Sequence, residues 1–119
     1  MTGVKKKPRV GLPQGTLVGR QGDGVQAFCG VPYALPPVQG LRWQPPVPVA
    51  VSDEIIDAES FGPMAPQLSE TGRPLAETSE DCLNLNIWKP DQARGAPVMV
   101  WIHGGGFCSG SNRVRGSVF

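Results

Sequence analysis

The stretch of this chain best suited to chemistry is His103-Gly104-Gly105-Gly106-Phe107. Three glycines in a row leave three backbone N–H groups unshielded by side chains and open φ/ψ regions closed to other residues. At the end of a buried strand, such a loop can aim two amides at one developing negative charge, which is the geometry of an oxyanion hole. On these residues alone, two other uses stay open: a structural turn and a phosphate cradle. The dinucleotide pattern G-x-G-x-x-G would need glycine or alanine at 109, where Ser109 stands, and no Gly-Lys-Ser/Thr of a P-loop occurs. A second loose match, Gly22-x-Gly24-x-x-Ala27, runs into Gly30, Pro32, Pro36 and Pro37 where a helix is required.

The remaining reactive side chains are few. His103 is the single histidine, and the three cysteines, Cys29, Cys82 and Cys108, form no CxxC pair. A zinc site therefore lacks ligands, and neither metal nor cofactor is expected. An odd number of cysteines leaves at least one thiol free in a monomer.

The elements that must position the glycine loop come next. Val98–Ile102 is a run of five apolar residues entered from Pro97 and closed by glycines, which predicts a buried strand leading into the loop. Leu83-Asn84-Leu85-Asn86-Ile87-Trp88 alternates apolar and amide residues, which predicts a half-buried strand with Leu83, Leu85 and Ile87 inward. Lys89-Pro90 ends it, and the spacing makes the two strands antiparallel neighbours. Upstream, Gly15–Arg20 and Val25–Cys29 flank Gly22-Asp23-Gly24 and read as a hairpin. Val49–Ile56 offers another short strand. Between them, 30–49 is rich in proline yet carries Val31, Tyr33, Leu35, Leu41 and Trp43. It predicts an ordered, extended strap over a core. In 53–81 the acids outnumber the lone Arg73, and 67–79 is so poor in apolar residues that a mobile loop is expected.

Composition bounds the rest. The chain has 119 residues and a net charge of +1, which favours no polyanionic partner such as nucleic acid. Its 16 glycines and 13 prolines sit beside a 39% hydrophobic fraction and three tryptophans, a globular piece rich in irregular structure. Residues 1–13, with Lys5, Lys6, Lys7 and Arg9, read as a disordered basic arm. No apolar run of signal-peptide length follows the arm, and none reaches the roughly 20 residues of a membrane span. Nothing in the order of strands, strap and loop covers the second face of a sheet. Residues 14–119 are thus expected to be an incomplete domain, the front of a longer chain or a protein that needs a partner to fold.

Four stretches, in order, carry a family resemblance: Gly15-Thr16-Leu17-Val18-Gly19; Phe28-Cys29-Gly30-Val31-Pro32-Tyr33-Ala34-Leu35-Pro36-Pro37 with Gly40-Leu41-Arg42-Trp43 and Pro45-Pro46; Ser79-Glu80-Asp81-Cys82-Leu83-Asn84-Leu85-Asn86-Ile87-Trp88; and 98–110 with its HGGGF. The chain resembles the type-B carboxylesterases, the carboxylesterase/lipase branch of the α/β-hydrolases. The resemblance implies an α/β fold, of which this would be the N-terminal part: a small antiparallel sheet plus the first strands of a central sheet. It implies hydrolysis of small-molecule carboxylic esters through an acyl-enzyme on a serine, with a Ser-His-Glu/Asp triad. It assigns Gly105 and Gly106 to the oxyanion hole and Phe107 to the substrate pocket, although a core role for Phe107 stays open. His103 would shape the loop by hydrogen bonding from a buried position, without serving as the base. Arg42 and Glu80 would form a partly buried bidentate pair between strap and strand.

There are departures. No serine of the chain meets G-x-S-x-G: Ser109 has Phe107 and Ser111 at the flanking positions, Ser111 has Ser109 and Arg113, and Ser117 has Arg115 and Phe119. The nucleophile, the triad acid and the triad histidine would lie after Phe119, so the chain alone is expected to be inactive and to need the C-terminal part of its fold. The cysteine that pairs with Cys82 in secreted members is replaced by Ala65, in Pro63-Met64-Ala65-Pro66-Gln67. Three reduced thiols and a cytoplasmic protein are expected. The other class of protein that fits is a non-catalytic binding or adhesion relative that keeps the fold without the serine.

Overall fold

The computed structural model describes residues 6–113. Six strands and one short 3-10 turn make up its regular structure: β1 (Arg9–Leu12), β2 (Gly15–Val18), β3 (Arg20–Gly22), β4 (Val25–Pro32), β5 (Ile55–Asp57) and β6 (Asn84–Pro90), with the turn at Gln39–Leu41. They form two three-stranded sheets. In one, β2 lies between β1, antiparallel, and β5, parallel; in the other, β4 lies between β3 and β6, both antiparallel.

The predicted hairpin forms at its turn and differs in its first arm. Gly22 pairs with Val25 across Asp23 and Gly24, which have φ of 52° and 78°. Both central residues thus take the left-handed values of a two-residue hairpin, which Asp-Gly favours. The expected strand 15–20, however, divides at Gly19: β2 joins the first sheet and β3 the second. The arm expected to be loose is corrected as well. Arg9–Leu12 pairs with β2 in the register Arg9↔Val18 to Leu12↔Gly15, and the Gly19 N–H donates to the Pro8 carbonyl. All four β1 side chains are exposed, so sequence patterning could not reveal a strand held by main-chain bonds alone. Residues 1–5 lie outside the described residues.

The core sits where β2 and β4 meet. Leu17, Phe28, Val31 and Ala58 pack together, with Ile56 against them. A bulge in β4 between Phe28 and Val31 lets that strand serve both sheets. The Cys29 N–H leaves the ladder and donates to the Ala58 carbonyl at 2.8 Å, and the Ala58 N–H donates to Val18 at 2.9 Å. The Gly30 N–H would be orphaned, and the side-chain oxygen of Asn86 accepts it at 2.8 Å. Gly30 has φ +64°, and a Cβ there would lie 2.8 Å from the Ser60 carbonyl and 2.9 Å from the Gly62 nitrogen. Only glycine fits this bulge.

The strap 33–50 is extended, as its prolines dictate, apart from the turn at Gln39–Leu41. The loop expected to be mobile is instead tied across itself. The Met64 N–H donates to Glu77, Ser79 to Met64, Leu75 to Gln67 and Ser69 to Arg73, at 2.7–3.2 Å. Main-chain pairing holds it, which its polar composition conceals.

Two apolar expectations are reversed. Val98–Ile102 is neither buried nor paired with a strand among the described residues, and its side chains are 61–87% exposed. It does not form a hairpin with β6 either: β6 is the edge strand of its sheet, with β4 as its one partner among the described residues. In β6 the alternation is inverted: Leu85 and Ile87 are exposed, while Asn84 and Asn86 turn inward to satisfy main-chain groups.

Replacing Gly30 by alanine forces a Cβ into a left-handed, crowded position. It is expected to lower stability by about 1–3 kcal/mol, read as a drop in the urea midpoint with little change in slope.

Candidate active site: the triple-glycine loop

The loop leaves the exposed segment 98–102 and turns back on itself within eight residues. Gly105, Gly106, Phe107 and Gly110 all have positive φ, at 126°, 59°, 61° and 100°. The turn is closed from inside: the N–H groups of Cys108 and Ser109 both donate to the Gly105 carbonyl, at 3.0 and 3.1 Å. A Cβ on Gly105 would collide with the Ser109 carbonyl, so this tight return demands glycine. With the Gly105 carbonyl engaged, the N–H groups of Gly105 and Gly106 donate to no described residue.

The other predicted residues are placed as follows. His103 is exposed, and its Nδ1 lies 2.8 Å from the Gly104 carbonyl, a contact that calls for the Nδ1–H tautomer. Its hydrogen bond is therefore within the loop, from the surface and not from a core. Phe107 is fully exposed. It does not join the core cluster, and its left-handed backbone is uncommon for a bulky residue. Arg42 Nε and Glu80 Oε1 are 3.3 Å apart, with both side chains about half exposed. The pair joins strap to strand through one contact, not as a bidentate buried fork. Solvent screening keeps it under about 1 kcal/mol. The Arg42 guanidinium also lies 5.8 Å from the centre of the Trp43 ring.

The residues that tether the loop escaped the sequence reading. Gln67 bonds the main chain of Gly110 through both its side-chain atoms, each at 2.9 Å. Two residues later, the Asn112 carbonyl accepts from Asn86 Nδ2 at 2.9 Å, and Asn112 Nδ2 donates to the Asn84 carbonyl and Oδ1. Asn84 Nδ2 in turn donates to Pro63. The alternating asparagines of β6 were the available signal, since amides repeated at period two can knit loops as well as face water. Gln67, in a polar loop, gave none.

The three cysteines are free thiols: Cys29 buried, Cys82 half-buried and Cys108 exposed. Burial pushes the Cys29 thiol up, with Arg20 opposing. Burial also pushes Cys82 up, helped by the Asp81 carboxylate.

Residues 6–118 match the model of the carboxylesterase family. The chain belongs to that family. It is 45% identical over 104 residues to the fumonisin B1 esterase of Sphingopyxis macrogoltabida, covering 84% of this chain and 19% of that protein. It is 44% identical over 116 residues to the phenmedipham hydrolase of Pseudarthrobacter oxydans, covering 91% of this chain and 24% of that protein. A solved thermophilic PNB esterase superposes with a TM-score of 0.79 at 38% identity, over 88% of this chain and 23% of that one. This carboxylesterase-family chain thus spans roughly a fifth to a quarter of its relatives' length, and its strands and loops are part of an α/β-hydrolase fold.

A thiol reagent at about pH 8 is expected to label Cys108 at once, Cys82 slowly and Cys29 only on unfolding, because the attacking species is the thiolate. Raising the pH should speed Cys82, whose raised pKa leaves it mostly protonated under those conditions. Mass spectrometry of the labelled chain checks the order.

Proposed function

We propose that this chain supplies the oxyanion-holding part of a carboxylic ester hydrolase that works through an acyl-enzyme. The observation that carries the reading is the pair of N–H groups on Gly105 and Gly106, free of partners among the described residues and held by a turn whose own carbonyl is already engaged. When a serine attacks an ester carbonyl, the carbonyl oxygen gains negative charge. Two preformed main-chain donors stabilise that charge more than they stabilise the uncharged ester, and one such donor is worth roughly 3–4 kcal/mol in a complete site. Fumonisin B1 esterase, phenmedipham hydrolase and the PNB esterases carry names of hydrolases, which supports the same reaction class for the whole protein.

The serine, its histidine and the triad acid do not come from this chain, which has no G-x-S-x-G. The isolated chain is therefore inactive in this reading. It also needs further polypeptide beside Val98–Ile102, where five apolar side chains stand exposed. Phe107 becomes a pocket wall once that polypeptide is present, and the substrate is a small carboxylic ester. No helix among the described residues is long and apolar enough to cross a membrane. Three free thiols suit a reducing cytoplasm.

The test uses two proteins. The purified 119-residue chain should not hydrolyse a p-nitrophenyl ester above the buffer rate. A hybrid carrying residues 6–113 in place of the matching segment of the thermophilic PNB esterase should hydrolyse it and be stopped by a serine-directed phosphonate. In that hybrid, Gly105→Ala keeps the N–H but drives a Cβ into the Ser109 carbonyl, and the displaced donors should lower kcat by about 100-fold. Gly106→Ala, which keeps its N–H and whose Cβ meets nothing within 4 Å, should lower it far less. Phosphonate-sensitive turnover by the isolated chain, or full activity in Gly105→Ala, would overturn the reading.

A further inference from the structure

We infer that Gln67 is a positioning residue: its side-chain amide grips the main chain of Gly110 at both polar atoms and thereby sets the direction of the Gly105 and Gly106 N–H groups. The inference rests on the oxyanion reading above and extends it to a residue 43 positions away.

The grip is chemically specific. The Gly110 N–H donates to Gln67 Oε1, and Gln67 Nε2 donates to the Gly110 carbonyl, both at 2.9 Å. The second Nε2 hydrogen goes to the Ala65 carbonyl at 3.1 Å. Both donors and the acceptor of the amide are thereby used, so its orientation is fixed. Two opposed bonds to one residue act like a rung of an antiparallel ladder, fixing the orientation of that residue as well as its position. A carboxylate could not donate to the Gly110 carbonyl, and an ammonium could not accept from its N–H.

The base of the grip is firm. Gln67 belongs to the loop that is tied by Met64 to Glu77, by Ser79 to Met64 and by its own carbonyl to Leu75. At the other end, the grip is the first hold on a long free run. Between residues 95 and 109, the hydrogen bonds among the described residues stay within the glycine loop itself. Gly110 is then held by Gln67, and Asn112 by Asn84 and Asn86.

The hold is passed on by contact. A Cβ on Gly110 would collide with the Gly104 carbonyl and come within 2.7 Å of His103 Nδ1. Fixing Gly110 therefore fixes the start of the loop, since the two pass with no room for a methyl group. Inside, the Cys108 and Ser109 N–H groups hold the Gly105 carbonyl. The sequence of contacts runs from Gln67 to Gly110, to Gly104, and so to the donors at 105 and 106. Oxyanion donors act over a narrow range of distance, and a misplacement of about 1 Å can cost about 100-fold in rate.

The test compares Gln67→Met, which keeps length and loses both bonds, with Gln67→Glu, which keeps only the acceptor. In the hybrid esterase, amide exchange followed by mass spectrometry should speed up about tenfold or more across 108–110 in Gln67→Met, with the β4 and β6 amides unchanged. In the hybrid esterase, Gln67→Met should lower kcat about tenfold or more with KM within about twofold, because the lost interaction matters only in the transition state, and Gln67→Glu should recover part of the loss. Unchanged exchange across 108–110 overturns the grip. Faster exchange with unchanged kcat overturns the positioning role. A hybrid that is inactive and phosphonate-insensitive with Gln67 in place defeats the esterase reading, while the exchange arm still decides whether the grip exists.

Discussion

The structure depends on side-chain amides standing in for main-chain partners. Where β4 bulges at Gly30, the ladder to β6 fails by one N–H, and Asn86 supplies the missing acceptor. The same side chain donates to Asn112, and its neighbour Asn84 donates to Pro63 and Cys82. An unpaired buried N–H costs about as much as a lost hydrogen bond, so this substitution lets the bulge exist. The bulge lets β4 bond to both sheets, and both sheets are needed to enclose Leu17, Phe28, Val31 and Ala58. The core, the junction of the sheets and the exit of the glycine loop therefore share one set of amide groups.

This arrangement also explains why β6 presents its apolar residues outward. A strand cannot direct Asn84 and Asn86 to the loops and Leu85 and Ile87 to the same side. The amides serve the interior of this segment, and Leu85 and Ile87 are left on the other face; Trp88 shares the amides' face by the same period, and there Phe61 approaches it at 6.4 Å. Val98–Ile102 is likewise apolar and exposed.

Legibility in the sequence followed physical cause. Asp23-Gly24 was readable because the turn requires left-handed φ at both residues, and composition reports that directly. The strap was readable from its prolines. The glycine loop was readable as a loop because three glycines state a need for special backbone, and the family resemblance supplied its role. β1 was not readable, since its four side chains are exposed and only main-chain pairing makes it a strand. The inversion of β6 was not readable either: period two fixes which residues share a face and is silent on which face is inside. Val98–Ile102 shows the converse. Its pattern describes a buried strand, but burial requires neighbours, and among the described residues it has none. Gln67 and Asn112 were illegible because their roles depend on a contact across more than forty and more than twenty residues, respectively.

The glycine loop itself presents a problem of rigidity. Four of the six residues from Gly105 to Gly110 have positive φ, and one of them is a phenylalanine, for which that conformation is strained by on the order of 1–3 kcal/mol. Every residue from 103 to 109 is exposed, so no packing holds the turn in place. A strained, unpacked turn whose two N–H groups have no partner among the described residues would relax if it were free. The bonds that oppose relaxation are the two onto the Gly105 carbonyl from within and the two from Gln67 at the exit. Oriented donors need such a frame, because an amide that must reorganise when charge develops loses the advantage of having been placed beforehand. The strain at Phe107 thus has a physical account: the loop is kept out of its relaxed form by a few directional bonds, which also fix the direction of the Gly105 and Gly106 N–H groups.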